Sequence, residues 1–320
     1  MTSVLILLTL PPEVRAQYYD DIRANFPALR VDMVDRVGKA DPFLPATDIL
    51  VTFGPHLEDQ ADHVLRRATK LRWIQALGTG VDNIVDRPAL RDDVILTNIH
   101  GIHGPAMSEA ALMAMLALAR GLPRLLRQQQ GRIWERRPGR LLDGKTVGIF
   151  GVGAIAAALA PCCKALGMTV VGISSARRDV AGFDRMYGRD ELATAVHDLD
   201  YFILLTPYSP ATHHIVGARV LAAMKPTSYL INLARGGVVD EDALIDVLRG
   251  RRIAGAALDV FAKEPLAEDS PFWTMDNVLV TPHVGGFNDE YARQALAVVN
   301  ENMRRFLAGD TAHMINIVKR

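Results

Sequence analysis

The chain has 320 residues, 36 Lys+Arg against 36 Asp+Glu, and 49% hydrophobic residues. That length suggests two domains, the hydrophobic content excludes a disordered chain, and the zero net charge argues against a strongly basic nucleic-acid binder. The two cysteines, Cys162 and Cys163, are adjacent. Neighbours do not form a structural disulfide, and no Cys-x-x-Cys pair suggests zinc. A reducing, cytoplasmic setting without a metal site is expected.

In chain order, the apolar opening Val4–Leu8 lacks a basic flank and a small-residue cleavage site, and Pro11-Pro12 ends it. It reads as a buried strand, not a signal peptide. Further short apolar runs follow at Ile49–Phe53, Trp73–Ala76, Val94–Thr97, Val147–Phe150, Val170–Ile173, Tyr201–Leu205, Tyr229–Asn232, Gly255–Asp259 and Val278–Thr281. Helical patterns such as Pro12–Phe26 and Leu57–Ala68 fall between most of them. This alternation predicts an α/β chain of βαβ units with parallel sheets. Glu109–Gln130 reads as a long helix broken at Gly121-Leu122-Pro123, followed by the Arg-rich Gly131–Arg140. Such a helix suits a bridge between domains or a dimer contact, or else plain core packing. Its apolar part, Ala110–Ala119, is too short to span a bilayer, and no membrane partner is expected.

Strand Val147–Phe150 runs into Gly151-Val152-Gly153-Ala154-Ile155-Ala156 and a helical pattern to Leu166, a G-x-G-x-x-A turn between strand and helix. Gly151 permits the tight turn, Gly153 lets a pyrophosphate approach the backbone, and Ala156 is small enough for close helix–strand packing. The helix N-terminus at Ala154 and Ile155 offers N–H groups and a favourable dipole to an anion. Dinucleotide binding is expected. At the end of the next strand, where an NAD site usually has Asp or Glu, stand Ser174-Ser175-Ala176-Arg177-Arg178. A serine hydroxyl and the Arg177 and Arg178 guanidinium groups suit a 2′-phosphate. NADP(H) is favoured and NAD(H) remains open; the alternative for this loop is a solvated basic turn.

Three later strands each end on titratable residues: Asn232-Leu233-Ala234-Arg235-Gly236-Gly237, Leu258-Asp259-Val260-Phe261 with Glu264-Pro265, and Thr281-Pro282-His283-Val284-Gly285-Gly286. In an open α/β sheet the carboxyl ends of strands face the ligand crevice. An arginine fork binds a carboxylate and polarises the neighbouring carbonyl. A histidine has the range to move the hydroxyl proton during hydride transfer. A carboxylate orients the imidazole and stabilises its cation. Singly each residue has an ordinary structural reading; together, downstream of a dinucleotide turn, they point to oxidoreduction of a small 2-hydroxy or 2-keto acid.

These segments, with Gly78-Thr79-Gly80-Val81-Asp82-Asn83, resemble the D-isomer-specific 2-hydroxyacid dehydrogenases, which include glyoxylate/hydroxypyruvate reductases and phosphoglycerate-dehydrogenase-like enzymes; the likeness runs from about Ile49 to about Gly286. The resemblance implies two Rossmann-like, doubly wound domains with an active cleft between them: residues 1–98 plus 288–320 for substrate, and 99–287 for the dinucleotide. It further implies that Arg235 binds and polarises the substrate, His283 is the acid/base and Glu264 tunes it. Asp259 would hold the nicotinamide carboxamide, Gly78, Thr79 and Gly80 the substrate carboxylate, and Thr206, Pro207, Ala234, His283 and Gly285 would lie at the cofactor. A homodimer is expected, with Trp134 either reaching toward a partner's substrate site or packing the dimer contact.

The family often has Arg at the place of Ala154 and Gly at that of Ala156; backbone N–H groups carry most of the phosphate binding, so neither departure should abolish it. A dinucleotide-sensing, corepressor-like binding protein is one alternative. A phosphoglycerate-dehydrogenase-like enzyme is another; it would want extra cations near Gly78, with Arg72 the nearest by sequence.

Overall fold

The structure is a computed structural model that describes residues 1–175 and 179–319. Two compact units divide the chain, Met1–Ile102 with Asp289–Arg320, and His103–Asn288.

The first unit opens with β1 (Ser3–Leu7), α1 (Pro12–Asn25), β2 (Arg30–Val34), β3 (Ile49–Thr52), α2 (Ala61–Arg67), β4 (Trp73–Ala76) and β5 (Ile95–Thr97). The second holds α3 (Gly104–Arg120), α4 (Leu122–Gln130), β6 (Thr146–Phe150), α5 (Ala154–Ala165), β7 (Thr169–Ser174), β8 (Arg185–Gly188), α6 (Leu192–Ala195), β9 (Tyr201–Leu204), α7 (Ala218–Ala223), β10 (Tyr229–Asn232), α8 (Glu241–Arg249), β11 (Gly255–Leu258) and β12 (Val278–Val280). Helix α9 (Tyr291–Leu307) returns to the first unit.

Among the described residues the strands form two all-parallel sheets, ordered β2-β1-β3-β4-β5 and β12-β11-β10-β9-β6-β7-β8. Both orders reverse direction once, the mark of doubly wound sheets, and ligands bind at that reversal. In the second sheet it falls between β6 and β9, so the turns after Phe150 and Leu204 flank it. Central strands such as β1, β3 and β9 are buried along their whole length, as parallel strands covered on both faces must be.

The two strands without a continuous apolar run, Arg30–Val34 and Arg185–Gly188, each form one edge of their sheet and are partly exposed. The long helical pattern begins earlier than its apolar stripe, at Gly104, because Pro105 fits the first turn of a helix. It breaks at Gly121, whose φ of 67° closes α3 in the left-handed conformation glycine tolerates. In the Leu57–Ala68 pattern, a 3₁₀ turn over Gly54–Gln60 precedes α2. Among the described residues no helix is long and apolar enough to cross a membrane.

Candidate active site

The glycine turn stands where β6 meets α5. Gly151 has φ 101°, and a Cβ there would lie 2.5 Å from the Thr206 nitrogen. Only glycine lets β6 approach the Leu205-Thr206-Pro207 segment this closely. A Cβ on Gly153 would meet nothing within 4 Å. Gly153 caps α5 with no side-chain bond, and the first helical hydrogen bond is that of Ala157 N–H to the Gly153 carbonyl. The N–H groups of Ala154, Ile155 and Ala156 therefore have no carbonyl one turn earlier. Open space above free N–H groups fits a pyrophosphate. Ala156 is fully buried against the sheet, as the third position of the motif demands.

Ser174 ends β7 beside Gly188 and is buried. The residue that ends β7 is thus a serine, where an NAD site usually has Asp or Glu. Arg177 and Arg178 lie outside the described residues.

The loops after β10, β11 and β12 bring the titratable groups together. His283 Nδ1 donates to Glu264 Oε2 at 2.7 Å, and the other carboxylate oxygen accepts from the Phe261 N–H at 3.0 Å. Burial pushes the Glu264 carboxyl up, but the His283 hydrogen bond and charge, the Phe261 N–H and the Arg235 charge outweigh it, and the group lies below its ordinary range. With Nδ1 committed, Nε2 is the imidazole nitrogen left to face a ligand, on a side chain 38% exposed. Arg235 is held by its own loop: its Nη1 donates to the Ala234 carbonyl at 2.7 Å, and Asn232 braces the turn through the Ala234 N–H and the Arg235 carbonyl.

Asp259 is 3% exposed and clamps the histidine loop. Its Oδ1 accepts from Thr281 Oγ1 at 2.6 Å and Val284 N–H at 2.9 Å, and Oδ2 accepts from Gly285 N–H at 2.8 Å. The His283 N–H bonds the Asp259 carbonyl at 2.8 Å. These bonds hold His283 at φ 55°, a left-handed conformation that costs a non-glycine residue roughly 1–2 kcal/mol. The sequence marks Asp259 as a strand-end carboxylate and, by resemblance, as a cofactor residue; its hold on Thr281 is visible only once β11 and β12 are paired. A cavity of about 370 Å³ opens beside Asp259 and Gly285, walled by Ala110, Met113, Leu233, Ala257 and Val284. Of these walls the α3 residues carry no motif, and sequence reasoning missed them.

In the first unit, the segment Gly78-Thr79-Gly80 follows β4. Thr79 Oγ1 donates to the Ile99 carbonyl at 2.9 Å, Asn98 Nδ2 to the Thr79 carbonyl at 2.7 Å, and Ile99 N–H to the Gly78 carbonyl at 3.1 Å. Arg72 precedes β4 and so stands at the opposite end of that strand. It pairs with Asp48 at 3.4 Å and lies over the Phe306 ring. It is therefore no cation for the Gly78 loop, because a four-residue strand spans about 13 Å.

Fold and site together define a dinucleotide-binding α/β protein with an imidazole–carboxylate pair. The family model for "D-isomer specific 2-hydroxyacid dehydrogenase, NAD binding domain" matches residues 112–285, and the chain belongs to that family. It is 34% identical over 274 residues to a glyoxylate reductase of Thermococcus litoralis, covering 82% of this chain and 81% of that one. It is also 34% identical over 255 residues to a D-3-phosphoglycerate dehydrogenase of Methanocaldococcus jannaschii, covering 79% of this chain and 48% of that one. The chain thus spans about half the length of such phosphoglycerate dehydrogenases. A solved D-isomer specific 2-hydroxyacid dehydrogenase from Xanthobacter autotrophicus Py2, in complex with NADPH and MES, is similar at 31% identity and a TM-score of 0.80, over 100% of this chain and 98% of that one.

Proposed function

We propose that the protein is an NAD(P)-dependent D-2-hydroxyacid dehydrogenase that works as a reductase of small 2-keto acids such as glyoxylate or hydroxypyruvate. The observation that carries this reading is the 2.7 Å bond between His283 and Glu264, with the Arg235 charge acting on the same carboxylate. The nicotinamide cofactor, when bound, supplies the hydride for C2. His283 delivers a proton from Nε2 to the forming alkoxide, and Glu264 steadies the imidazolium that precedes it. Arg235 binds the substrate carboxylate and draws electron density from the 2-oxo group. Gly78, Thr79 and Gly80 are assigned the remaining carboxylate contacts on the family likeness.

For the cofactor, Gly151, Gly153, Ala154 and Ile155 would hold the pyrophosphate, and Thr206, Pro207 and Ala234 would line its path. The cavity beside Asp259 and Gly285 has the apolar walls that a nicotinamide ring wants. NADP(H) is preferred in this reading, because β7 ends on Ser174 and not on the carboxylate that would repel a 2′-phosphate; Arg177 and Arg178 are assigned to that phosphate. The Xanthobacter relative was solved with NADPH.

A homodimer is part of the proposal. Leu125, Leu126, Ile133, Trp134 and Leu141, all from one stretch of sequence, are exposed, Trp134 by 89%, and so many large apolar side chains left to solvent ask for a cover. Light scattering should return twice the chain mass, and Trp134→Glu with Leu126→Glu should return the monomer mass.

Steady-state kcat/KM for NADPH and NADH across glyoxylate, hydroxypyruvate, pyruvate, phenylpyruvate and 3-phosphohydroxypyruvate tests the reading. Turnover of the small 2-keto acids is expected. No turnover with either cofactor would sink the enzyme reading and favour a dinucleotide-sensing binding protein. Preference for the phosphorylated acid would favour the phosphoglycerate-dehydrogenase-like alternative, which the position of Arg72 weakens.

A further inference from the structure

Glu241 has no part in the assignments above. It is the first residue of α8, one position after Asp240, whose side chain caps that helix through the Ala243 N–H at 3.1 Å. The Glu241 side chain turns away from its own helix. Its Oε1 accepts the N–H of Ala262 at 2.6 Å. Ala262 sits between Phe261, whose N–H bonds Glu264, and the Glu264 residue itself. Consecutive N–H groups of one short loop are therefore held by two carboxylates, one local and one from a helix elsewhere in the chain.

The same loop is pressed from the arginine side. A Cβ on Gly236 would lie 1.8 Å from the Phe261 carbonyl carbon and 2.1 Å from the Ala262 nitrogen. The segment from Arg235 to Glu241 thus touches the Phe261–Ala262 backbone twice, at Gly236 by close approach and at Glu241 by a hydrogen bond.

We propose that Glu241 is a positioning residue that locks the loop carrying Glu264 onto the loop carrying Arg235, so that the His283–Glu264 pair and the Arg235 guanidinium keep one fixed spacing. This rests on the reading of His283 and Glu264 as the acid–base pair. A charge effect accompanies the lock. Burial raises the Glu241 carboxyl; Asp242 and Glu264 add to the rise, while the Ala262 N–H and His214 oppose it. Facing Glu264 in turn are His283 and Arg235. Ionised Glu241 therefore adds negative potential to the pair and favours the proton on it.

The test compares Glu241→Ala, Glu241→Gln and the neighbouring Asp242→Asn. Two readouts are taken: kcat and KM with NADPH and glyoxylate, and the pH midpoint of the His283 ring resonances in labelled, substrate-free protein. Glutamine keeps an oxygen acceptor for Ala262 but no charge. The alanine variant is expected to lose at least tenfold in kcat with the NADPH KM within twofold. The glutamine variant is expected to recover kcat to within threefold of wild type. Its His283 midpoint should fall by a few tenths of a pH unit, while Asp242→Asn moves the midpoint less. Wild-type kcat in the alanine variant, a glutamine variant as slow as the alanine one, or an unmoved midpoint in the glutamine variant each overturns the proposal. If the alanine variant does not fold, the glutamine midpoint decides alone. If wild-type protein turns over no 2-keto acid, the enzyme reading fails, and the substrate-free resonance still decides whether Glu241 acts on the pair.

Discussion

At the carboxyl end of β6 every group offered to a ligand is main chain: the N–H groups of Ala154, Ile155 and Ala156 under an open Gly153. At the carboxyl ends of β10, β11 and β12 the offered groups are side chains, and each is held by others, His283 by Glu264 and Asp259, Glu264 by Phe261, Arg235 by Ala234. The first region needs only a strand, a glycine and a helix start, so its side chains can drift; Ala at 154 and 156 is tolerated. The second works only as a constellation drawn from three loops, and there single substitutions should be costly.

The sharpest way to break that contrast is His283→Asn. Losing a general acid costs about 10²–10⁴ in rate, so kcat should fall by that factor with the cofactor KM nearly unchanged. A loss under tenfold would mean that the proton comes from elsewhere.

Glu264→Gln comes next. Glu264 lies below its ordinary range because His283 and Arg235 stabilise its charge, so by reciprocity its charge stabilises protonated His283. Reduction needs the protonated ring and declines as pH rises through its midpoint. Glutamine removes the stabilising charge, so the alkaline decline of kcat/KM should move to lower pH. An upward move, or none, would detach Glu264 from the histidine. The stability side has its own sign: a carboxylate held below its unfolded value stabilises the fold above the ordinary carboxylate range, and that contribution is lost as pH falls through its own lower midpoint.

A substitution near the first region should act on choice of cofactor and little on chemistry. Ser174→Asp places a carboxylate at the end of β7, where it repels a 2′-phosphate and bonds free ribose hydroxyls. The NADPH-to-NADH ratio of kcat/KM should fall by about tenfold or more, since one carboxylate against one phosphate costs a few kcal/mol unscreened and about 1.4 kcal/mol is tenfold. If the wild type already prefers NADH, the reading of Ser174 falls with it.

The same contrast explains what could be read from sequence. The glycine turn is local: strand, Gly151, Gly153 and helix are contiguous, so its identity was legible, while its place at the sheet reversal emerges only from the order of the assembled strands. The strands with continuous apolar runs were legible as well, while the half-exposed edges Arg30–Val34 and Arg185–Gly188 lack that run and stayed hidden. Arg235, Glu264 and His283 could be picked as strand-end residues of the right type. Their bracing could not, because the Asp259–Thr281 and Glu241–Ala262 bonds join segments that meet only after the sheet is assembled.

The smallest expected effect is also the most direct probe of main-chain binding. Ala154→Arg restores the residue the family often has at the first turn of α5. A cation there opposes the helix dipole by about 0.3–1 kcal/mol, so the fold should lose slightly in Tm. Against that, a guanidinium within reach of the pyrophosphate gains a surface-exposed charge contact of similar size. The NADPH KM should fall by no more than about threefold at low salt, and the gain should vanish near 0.5 M salt, where screening lengths drop below about 5 Å. A tenfold change in either direction would show that the side chain at position 154, and not the row of N–H groups beneath it, sets how this turn holds phosphate.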